Sequence, residues 1–398
     1  MTACIGDSLA ADDVSRQRPW RFARFRVVVR GCVEPESLLS GETSSFSLSL
    51  FLVPQLCFSG FVAMHAVVFW NQVSLQDSAA DLDVLVQCVE IETGLRNLGF
   101  TVERIPCTLN LEEARNRLIQ ARPDVVFNLV EALGGTDQLT SLAILLLESL
   151  HLKFTGAGCF DNMLAAVKTT IKPRLLELQL PTPAWISCAV PKWQGSGLAG
   201  RYPTRVIVKS TSEHASFALQ DDCIFSIPSG PEGTASLLQR LQQQSRRYNR
   251  VFFAEEFIDG REFHVGVLAE AGVPLVLPPS EIQFIDFPDE KPKIFGANAK
   301  WECESREYGA TDRTFEFPET DQVLLERLTS TARDCWLKCG FRGYGRIDFR
   351  VDASGQPWIV DINLNPRLTP GSCFGAALAE LGVSFDEALR RIVDEALR

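Results

Sequence analysis

The 398-residue sequence lacks the signatures of several large protein classes. Its 12 cysteines form no CxxC pair and no Cys/His cluster with zinc-ligand spacing, and no GxxxxGK phosphate loop occurs. Acidic residues outnumber Lys and Arg by 50 to 39, which gives a net charge of -11, and no basic stripe for phosphate contacts is present. These absences exclude a zinc-finger or P-loop protein and predict that nucleic acid is not a partner.

Residues 1–63 differ in composition from the rest of the chain. A basic stretch over 16–31 is followed by an apolar stretch that contains serines and Pro54, and together they superficially resemble a signal peptide. The apolar stretch begins only near residue 46, and its proline suits neither a signal core nor a membrane-spanning helix of ~20 residues. We therefore expect residues 1–63 to be an extension outside the fold, which begins at Met64. The protein is expected to be cytoplasmic, with reduced cysteines and no membrane partner.

From Met64 onward, strand and helix patterns alternate. Short apolar runs are separated by amphipathic stretches of about 10–15 residues, which is typical of βαβ units on a parallel sheet. Further along, shorter strands are joined by turns, including a hairpin with Gly272 in its turn, and a last helix carries a capping box of Ser384 and Glu387. The sequence therefore predicts a parallel α/β domain followed by α+β regions.

Two apolar strands near the C-terminus carry polar residues on one face. In GYGRIDFRV (343–351) and IVDINLNP (359–366), apolar residues alternate with charged or amide residues, and the segment between them is rich in turn-forming residues. Because side chains of a strand alternate between its two faces, Asp348, Asp361 and Asn363 share one face of the predicted hairpin.

Two carboxylates that face each other repel unless a cation lies between them. Mg²⁺ prefers oxygen ligands and takes one or two carboxylates together with phosphate oxygens. The alternative is a solvated outer face of the hairpin. Asn363 and Asn365 at the strand end favour the metal site, because amides add nothing to a face that is merely soluble.

These segments resemble, in order along the chain, the motifs of ATP-grasp ligases, in particular the D-alanine:D-alanine ligase group. The similarity spans about residues 64–398. It implies an ATP-grasp fold of mixed α/β and α+β type, with a Rossmann-like domain over 64–163, a central lid subdomain over 164–258 and a C-terminal subdomain over 259–398. The upstream segments that carry the resemblance are FNLVEALGGTDQ (127–138), NMLAAVKTTIKPRLLELQLPTPAW (162–185), VIVKSTSE (206–213) and EEFIDGREFHVGVL (255–268).

The resemblance implies which residues bind ATP. Lysines suit the phosphates as point charges on flexible stems, a hinge segment takes the adenine edge, and an acid takes the ribose hydroxyls. The matching residues are Lys168, Lys209 and Lys300 at the phosphates, Ser216 in the loop over them, Glu255, Glu256, Phe257 and Ile258 at the adenine, and Glu262 at the ribose.

The resemblance also implies the metal ligands and the catalytic residues. Asp348, Asp361 and Asn363 match the ligands of Mg²⁺, for which Mn²⁺ could substitute. Arg346 matches the arginine that stabilises the oxyanion of the tetrahedral intermediate, with Lys300 nearby, and Ser372 matches a hydroxyl that contacts the carboxylate of the acceptor.

The implied reaction is an ADP-forming ligation. A carboxylate attacks the γ-phosphoryl group of ATP, Mg²⁺ and lysines neutralise the transferred charge, and an acylphosphate forms. An amine then attacks the acyl carbon, and phosphate leaves. The expected partners are small amino-acid-like molecules, and the resemblance also allows a homodimer.

The departures from the family pattern fall on substrate recognition. Asp361 replaces the usual glutamate, Ala215 a serine and Trp301 a tyrosine, while the loop after the first strand lacks the glycine-rich turn and the glutamate that grips the donor's amino group. Two alternatives therefore stay open beside a D-alanine:D-alanine ligase. One is a ligase for another amino-acid-like substrate pair, and the other is an inactive ATP-binding sensor or partner protein.

Overall fold

The computed structural model describes residues 63–74, 76–195, 198, 200–212, 223–287, 291–302 and 304–398. The predicted extension, apart from residue 63, and the predicted phosphate contact Ser216 lie outside these ranges. Within them, no helix combines the length and the apolar composition needed to cross a membrane.

The first part is a three-stranded parallel sheet in the order β2-β1-β3, as predicted from the alternating pattern. Its central strand β1 is buried on both faces. Ala66 and Val68 pack in one core with α1, while Val67 and Phe69 pack in another with α2 and α3. The elements are β1 (His65–Asn71), α1 (Ala79–Asn97), β2 (Thr101–Cys107), α2 (Leu111–Ala121), β3 (Val125–Leu129), α3 (Thr140–Ser149) and α4 (Cys159–Ala166).

The second part is a four-stranded antiparallel sheet in the order β4-β7-β5-β6. The helix α6 covers one face of this sheet, because Leu237 and Leu241 on its apolar side pack against Val206 and Val208. The elements are α5 (Lys168–Glu177), β4 (Trp185–Ser187), β5 (Arg205–Ser210), β6 (Ile224–Ser226), α6 (Pro231–Tyr248) and β7 (Phe252–Glu256).

The third part is a six-stranded sheet in the order β11-β10-β8-β12-β13, with β9 paired to β8. The predicted β8–β9 hairpin is confirmed, with Gly272 at φ 76° in its turn, and Ser384 caps the last helix by accepting from Glu387 N, as predicted. The elements are β8 (Arg261–Glu270), β9 (Val273–Val276), β10 (Ser280–Phe284), α7 (Ala297–Trp301), α8 (Arg306–Gly309), β11 (Thr311–Thr314), α9 (Gln322–Cys339), β12 (Tyr344–Val351), β13 (Pro357–Asn363), α10 (Cys373–Glu380) and α11 (Phe385–Leu397).

The predicted hairpin of polar strands is β12 and β13. The two strands pair antiparallel, with Asp348 directly opposite Asp361 and Arg346 opposite Asn363, so these four residues share one face. The opposite face is apolar and packs against α9. The arrangement places two carboxylates side by side, as the alternation in the sequence predicted.

A chain that starts at Met64 should fold as stably as the full chain. The three sheets fall within the predicted ranges 64–163, 164–258 and 259–398, whose boundaries stay a prediction, and the first described core residue is Ala66. We expect the same melting temperature and the same soluble yield for both chains. An insoluble truncated chain, or one with a clearly lower melting temperature, would show that residues 1–63 belong to the fold.

Candidate active site

Glu255 lies at the centre of a buried cation cluster. It lies on β7 in the four-stranded sheet, paired with Trp185 of β4 on one side and Ile207 of β5 on the other, and it is only 1% exposed. Lys209 Nζ donates to its Oε1 at 2.8 Å, and Lys172 Nζ lies 2.6 Å from its Oε2. Burial alone would raise the pKa of Glu255, but the two ammonium groups outweigh burial and hold that pKa below its usual range.

Lys172 did not stand out in the sequence. The predicted phosphate-binding pair was Lys168 and Lys209, but the structure brings Lys172 to Lys209 through the shared Glu255. Lys172 also donates to Thr182 Oγ1 at 2.8 Å. Lys168 and Lys172 are one turn apart on α5 and therefore lie on the same side of the helix. This spacing is the feature of the sequence from which Lys172 could have been predicted as a site residue.

Lys168 connects α5 to the hairpin of β12 and β13 through an ion pair. Its ammonium group donates to Asp361 Oδ1 at 2.9 Å, and the lysine is only 6% exposed. Burial and the neighbouring Asp348 carboxylate raise the pKa of Asp361, but the ammonium groups of Lys168 and Lys209 together outweigh both and lower it. A predicted phosphate lysine and a predicted metal ligand therefore lie in direct contact.

Arg346 holds the other acid of the hairpin. Its Nε and Nη2 donate to the two oxygens of Asp348 at 2.6 Å and 2.8 Å, a bidentate pair. Burial would raise the pKa of Asp348, but Arg346, helped by His264, lowers it well below its usual range. Asp348 is therefore a carboxylate at any ordinary pH, as a metal ligand must be.

Glu262 and His264 extend this cluster along β8. The predicted ribose acid Glu262 accepts from Arg350 Nη1 at 3.1 Å and from the backbone N–H of Phe295 at 3.3 Å. Although burial opposes it, the contacts with His264 and Arg350 lower the pKa of Glu262 to about 2. His264 Nε2 lies 3.5 Å from Glu262 Oε1 and 3.8 Å from Asp348 Oδ2.

Lys300 reaches the same cluster from α7. Its ammonium group lies 5.0 Å from the centroid of the Phe295 ring, a cation–π distance. Burial first, and then the positive charge of Arg346, lower the pKa of Lys300 against the attraction of Asp348 and Glu262. The structure thus brings together four residues that were predicted to serve the phosphates, the metal, the ribose and the oxyanion.

The predicted hinge continues directly from the buried Glu255. The carboxylate of Glu256 pairs with Arg201, and its backbone N–H donates to Ala184 O at 2.7 Å. The carbonyl of Ile258 accepts from Arg350 Nε at 3.0 Å, and the Phe257 ring centroid is 5.2 Å from the same guanidinium. Arg350, which was not predicted as a site residue, therefore links the hinge to Glu262.

Asn363 and Ser372 make local contacts at the end of the hairpin. Asn363 Oδ1 accepts from the backbone N–H of Asn365 at 2.8 Å. The hydroxyl of Ser372 donates to Arg367 O and caps α10 by accepting from Gly375 N at 2.9 Å. In the hydrogen bonds and ion pairs of the described residues, neither side chain is paired with Arg346 or Asp348.

The donor set fits a Mg²⁺ ion that is shared with phosphate. In the described ranges no group of three or more His, Cys, Asp or Glu side chains could hold a metal by itself. Asp348 and Asp361 lie opposite each other with an amide beside them, and each is neutralised by a cation. This matches the preference of Mg²⁺ for one or two carboxylates plus substrate phosphates.

Comparison with known proteins identifies the family to which the chain is similar. A family model described as the C-terminus of D-ala D-ala ligase matches residues 232–394. The D-alanine–D-alanine ligase of Methylococcus capsulatus is 28% identical over 319 residues, which cover 80% of this chain and 92% of that protein. An uncharacterized protein of Sinorhizobium fredii, y4sG, is 30% identical over 279 residues, which cover 69% of this chain and 75% of that protein.

The chain belongs to the D-alanine–D-alanine ligase-like family of ATP-grasp proteins. Its fold agrees with a crystal structure of the Bacillus anthracis D-alanine–D-alanine ligase complexed with ATP, at a TM-score of 0.60 and 19% identity over 84% of this chain and 98% of that one. The predicted family and ATP-grasp fold are therefore confirmed. As a member of this family, the chain is an ADP-forming carbon–nitrogen ligase that uses ATP and Mg²⁺, as the sequence predicted.

Proposed function

We propose that this ligase joins the carboxylate of one small amino-acid-like molecule to the amine of another in the cytoplasm. The observation that carries the proposal is the hairpin face on which Asp348 and Asp361 lie opposite each other, each held by a cation. Such a set of fixed charges suits the transfer of a phosphoryl group, where positioning and electrostatic stabilisation do most of the work.

The residues of the hairpin would change partners when the nucleotide binds. Asp348, Asp361 and Asn363 would hold Mg²⁺, which when bound neutralises charge on the transferred phosphoryl group. Lys168 would then turn from Asp361 to the phosphates, and Arg346 from Asp348 to the developing oxyanion. The ion pairs of the hairpin keep these cations within reach before the reaction begins.

The nucleotide would lie along the hinge. Lys209 and Lys300 would contact its phosphates, and the resemblance to the family adds Ser216 as a further phosphate contact. Glu255 to Ile258 would border the adenine, and Glu262 would take the ribose hydroxyls. Support for this arrangement comes from Arg350, which ties the Ile258 carbonyl and the Glu262 carboxylate together.

Membership of the family does not by itself identify the two substrates. The loop after β1 lacks the glycine-rich turn of the family, and the side chain of Asn71, the last residue of β1, accepts from the backbone N–H of Glu131 at 3.0 Å. Arg367, in the loop after β13, donates to Asp83 of α1 at 2.6 Å. This ion pair connects the third part of the fold to the first part, beside the loop that follows β1. We infer that the substrates are a pair of amino-acid-like molecules other than two D-alanines.

A panel of D- and L-amino acids tests the substrate proposal. Each pair is incubated with ATP and Mg²⁺, and the products are measured by mass spectrometry. We expect an amide product from a pair other than D-alanine with D-alanine. A strong preference for two D-alanines would contradict the inferred substrates and leave the ligase reaction intact.

Asp348→Asn and Asn363→Asp should affect the binding of Mg-ATP differently. Removal of the Asp348 charge should weaken Mg-ATP binding by at least about 10-fold, since loss of a group that merely holds a metal ligand in place already costs about 10- to 100-fold. The added carboxylate at Asn363 should preserve binding in part. Isothermal titration with and without EDTA separates metal from nucleotide, because ATP alone should bind the Asp348→Asn chain normally. Unchanged Mg-ATP affinity in that variant would refute the metal assignment.

We also propose a homodimer formed through α3 and α4. Ser141 and Asn162 are hydrogen-bonded to each other at 2.8 Å and hold the two helices together, and beside them Leu145, Phe160 and Met163 are exposed. Phe160, at 76% exposure, is the most exposed of these apolar side chains, and adjacent exposed apolar groups often mark an interface.

Phe160→Glu should therefore convert a dimer to a monomer in light scattering. The matched control is Val323→Glu on α9, where an apolar residue that is 67% exposed lies elsewhere on the molecule. The control should stay dimeric. A monomeric parent chain, or a dimeric Phe160→Glu chain, would contradict this interface.

A further inference from the structure

Cys373 and His264 form a thiol–imidazole pair beside the active-site cluster. Cys373 Sγ lies 3.3 Å from His264 Nδ1, and the other ring nitrogen faces Glu262 Oε1 at 3.5 Å. The imidazole is 2% exposed, whereas Cys373 is only partly buried. A base placed between a sulfur and a carboxylate in this way is the arrangement that activates a nucleophile.

The surroundings of Cys373 are strongly positive. The residue opens α10, so the N-terminal end of the helix dipole points at it. Arg313 donates to the carbonyls of Gly371 and Ser372, which directly precede the thiol. Burial alone would raise the pKa of Cys373, but His264, with Arg313 and Arg346, lowers it to about 6.

Other cysteines of the chain have different surroundings. Cys88 and Cys107 are buried in apolar cores, which raises the pKa of each to about 12. Cys188 is exposed, and partial burial raises its pKa as well. Because exposure alone would favour Cys188, the comparison of Cys373 with Cys188 isolates the effect of the charged partners.

We propose that Cys373 is a modification site that exchanges with small-molecule disulfides and thereby switches ligation off reversibly. In the exchange, the Cys373 thiolate attacks one sulfur of the disulfide, a new S–S bond forms, the old one breaks, and the departing thiolate takes up a proton. An excess of small thiol reverses the step. The consequence for activity rests on the proposed function.

The position of Cys373 explains why the adduct would stop ligation. Cys373 directly follows Ser372, the proposed contact of the acceptor. Its thiolate is close enough to interact electrostatically with Arg346 and Lys300. A group attached to the sulfur would therefore occupy the side of the site where the amine must enter. The hinge residues Glu255 to Ile258 lie at the end of β7 and directly after it, in the four-stranded sheet rather than on α10, so ATP binding should survive.

Reaction with oxidised glutathione at pH 6 tests the site in the unmodified sequence. Peptide mass spectrometry over time gives the rate at each cysteine. Because Cys373 Sγ lies 3.3 Å from an imidazole nitrogen and at the N-terminus of α10, we expect it to react about 10-fold faster than Cys188. A faster reaction at Cys188, or none at Cys373, would overturn the proposal, and His264→Gln should slow the reaction at Cys373.

Activity measurements test the switch separately. The treated ligase should lose ADP release and regain it with dithiothreitol, and Cys188→Ser should be as sensitive as the parent chain. ADP release that persists after complete modification of Cys373 would overturn the switch and leave the ligase function standing. A chain without any ligase activity would refute the proposed function, whereas the modification rates would still decide whether Cys373 is the reactive site.

Discussion

Glu255→Gln should lower the free energy of unfolding by about 3–5 kcal/mol, the usual effect of removing one partner from a buried ion pair. Glu255 pairs with both Lys172 and Lys209, so the substitution would leave two buried ammonium groups beside an uncharged amide. Their mutual repulsion would remain without compensation. Urea denaturation of the nucleotide-free chain measures the loss.

The next residue provides a matched control for this experiment. Glu256 pairs with Arg201 at the surface, where the arginine side chain is 53% exposed. Because exposed pairs contribute about 0–1 kcal/mol, Glu256→Gln should change stability little. Equal losses for the two variants would mean that the buried cluster contributes nothing beyond an ordinary surface pair.

Arg346→Lys should lower kcat on the order of 10²- to 10³-fold and leave the affinity for ATP nearly unchanged. Loss of one oxyanion donor typically costs about 2.7–4 kcal/mol of transition-state stabilisation. Lysine keeps the charge but lacks the planar fork that now binds both oxygens of Asp348. An interaction made only in the transition state lowers kcat without weakening ground-state binding.

The competing explanation is that Arg346 merely neutralises the hairpin. In that case Arg346→Lys would lower the melting temperature of the metal-free chain, and turnover at saturating substrate would hardly change. Arg350→Lys is the matched control, because Arg350 contacts Ile258 and Glu262 and should affect the KM for ATP more than kcat. Normal turnover of the Arg346→Lys ligase would refute its catalytic role.

The elements whose signals are local could be predicted from the sequence. The alternation in β12 and β13 placed Asp348, Asp361 and Asn363 on one face, because side-chain direction in a strand follows from sequence position alone. The cap at Ser384 was equally predictable, since its partner is three residues away.

The contacts that complete the site could not be predicted in the same way. Lys168 meets Asp361 across 193 residues, and His264 meets Cys373 across 109 residues. Such partners are chosen by how the sheets pack, and no sequence spacing encodes this. The same holds for Lys172. Its position on α5 could be predicted from the sequence, but its ion pair with Glu255 of β7 could not.

The release of ADP in the presence of amino acids tests the central claim most directly. The chain is incubated with Mg-ATP and a mixture of D- and L-amino acids, and ADP and amide products are measured together, with the Asp361→Asn chain as the comparison. We predict ADP release that depends on the amino acids, matches the amide formed one for one, and is lost in the Asp361→Asn chain. ATP binding without any amino-acid-dependent ADP release would contradict the account and indicate a nucleotide-binding protein that does not catalyse ligation.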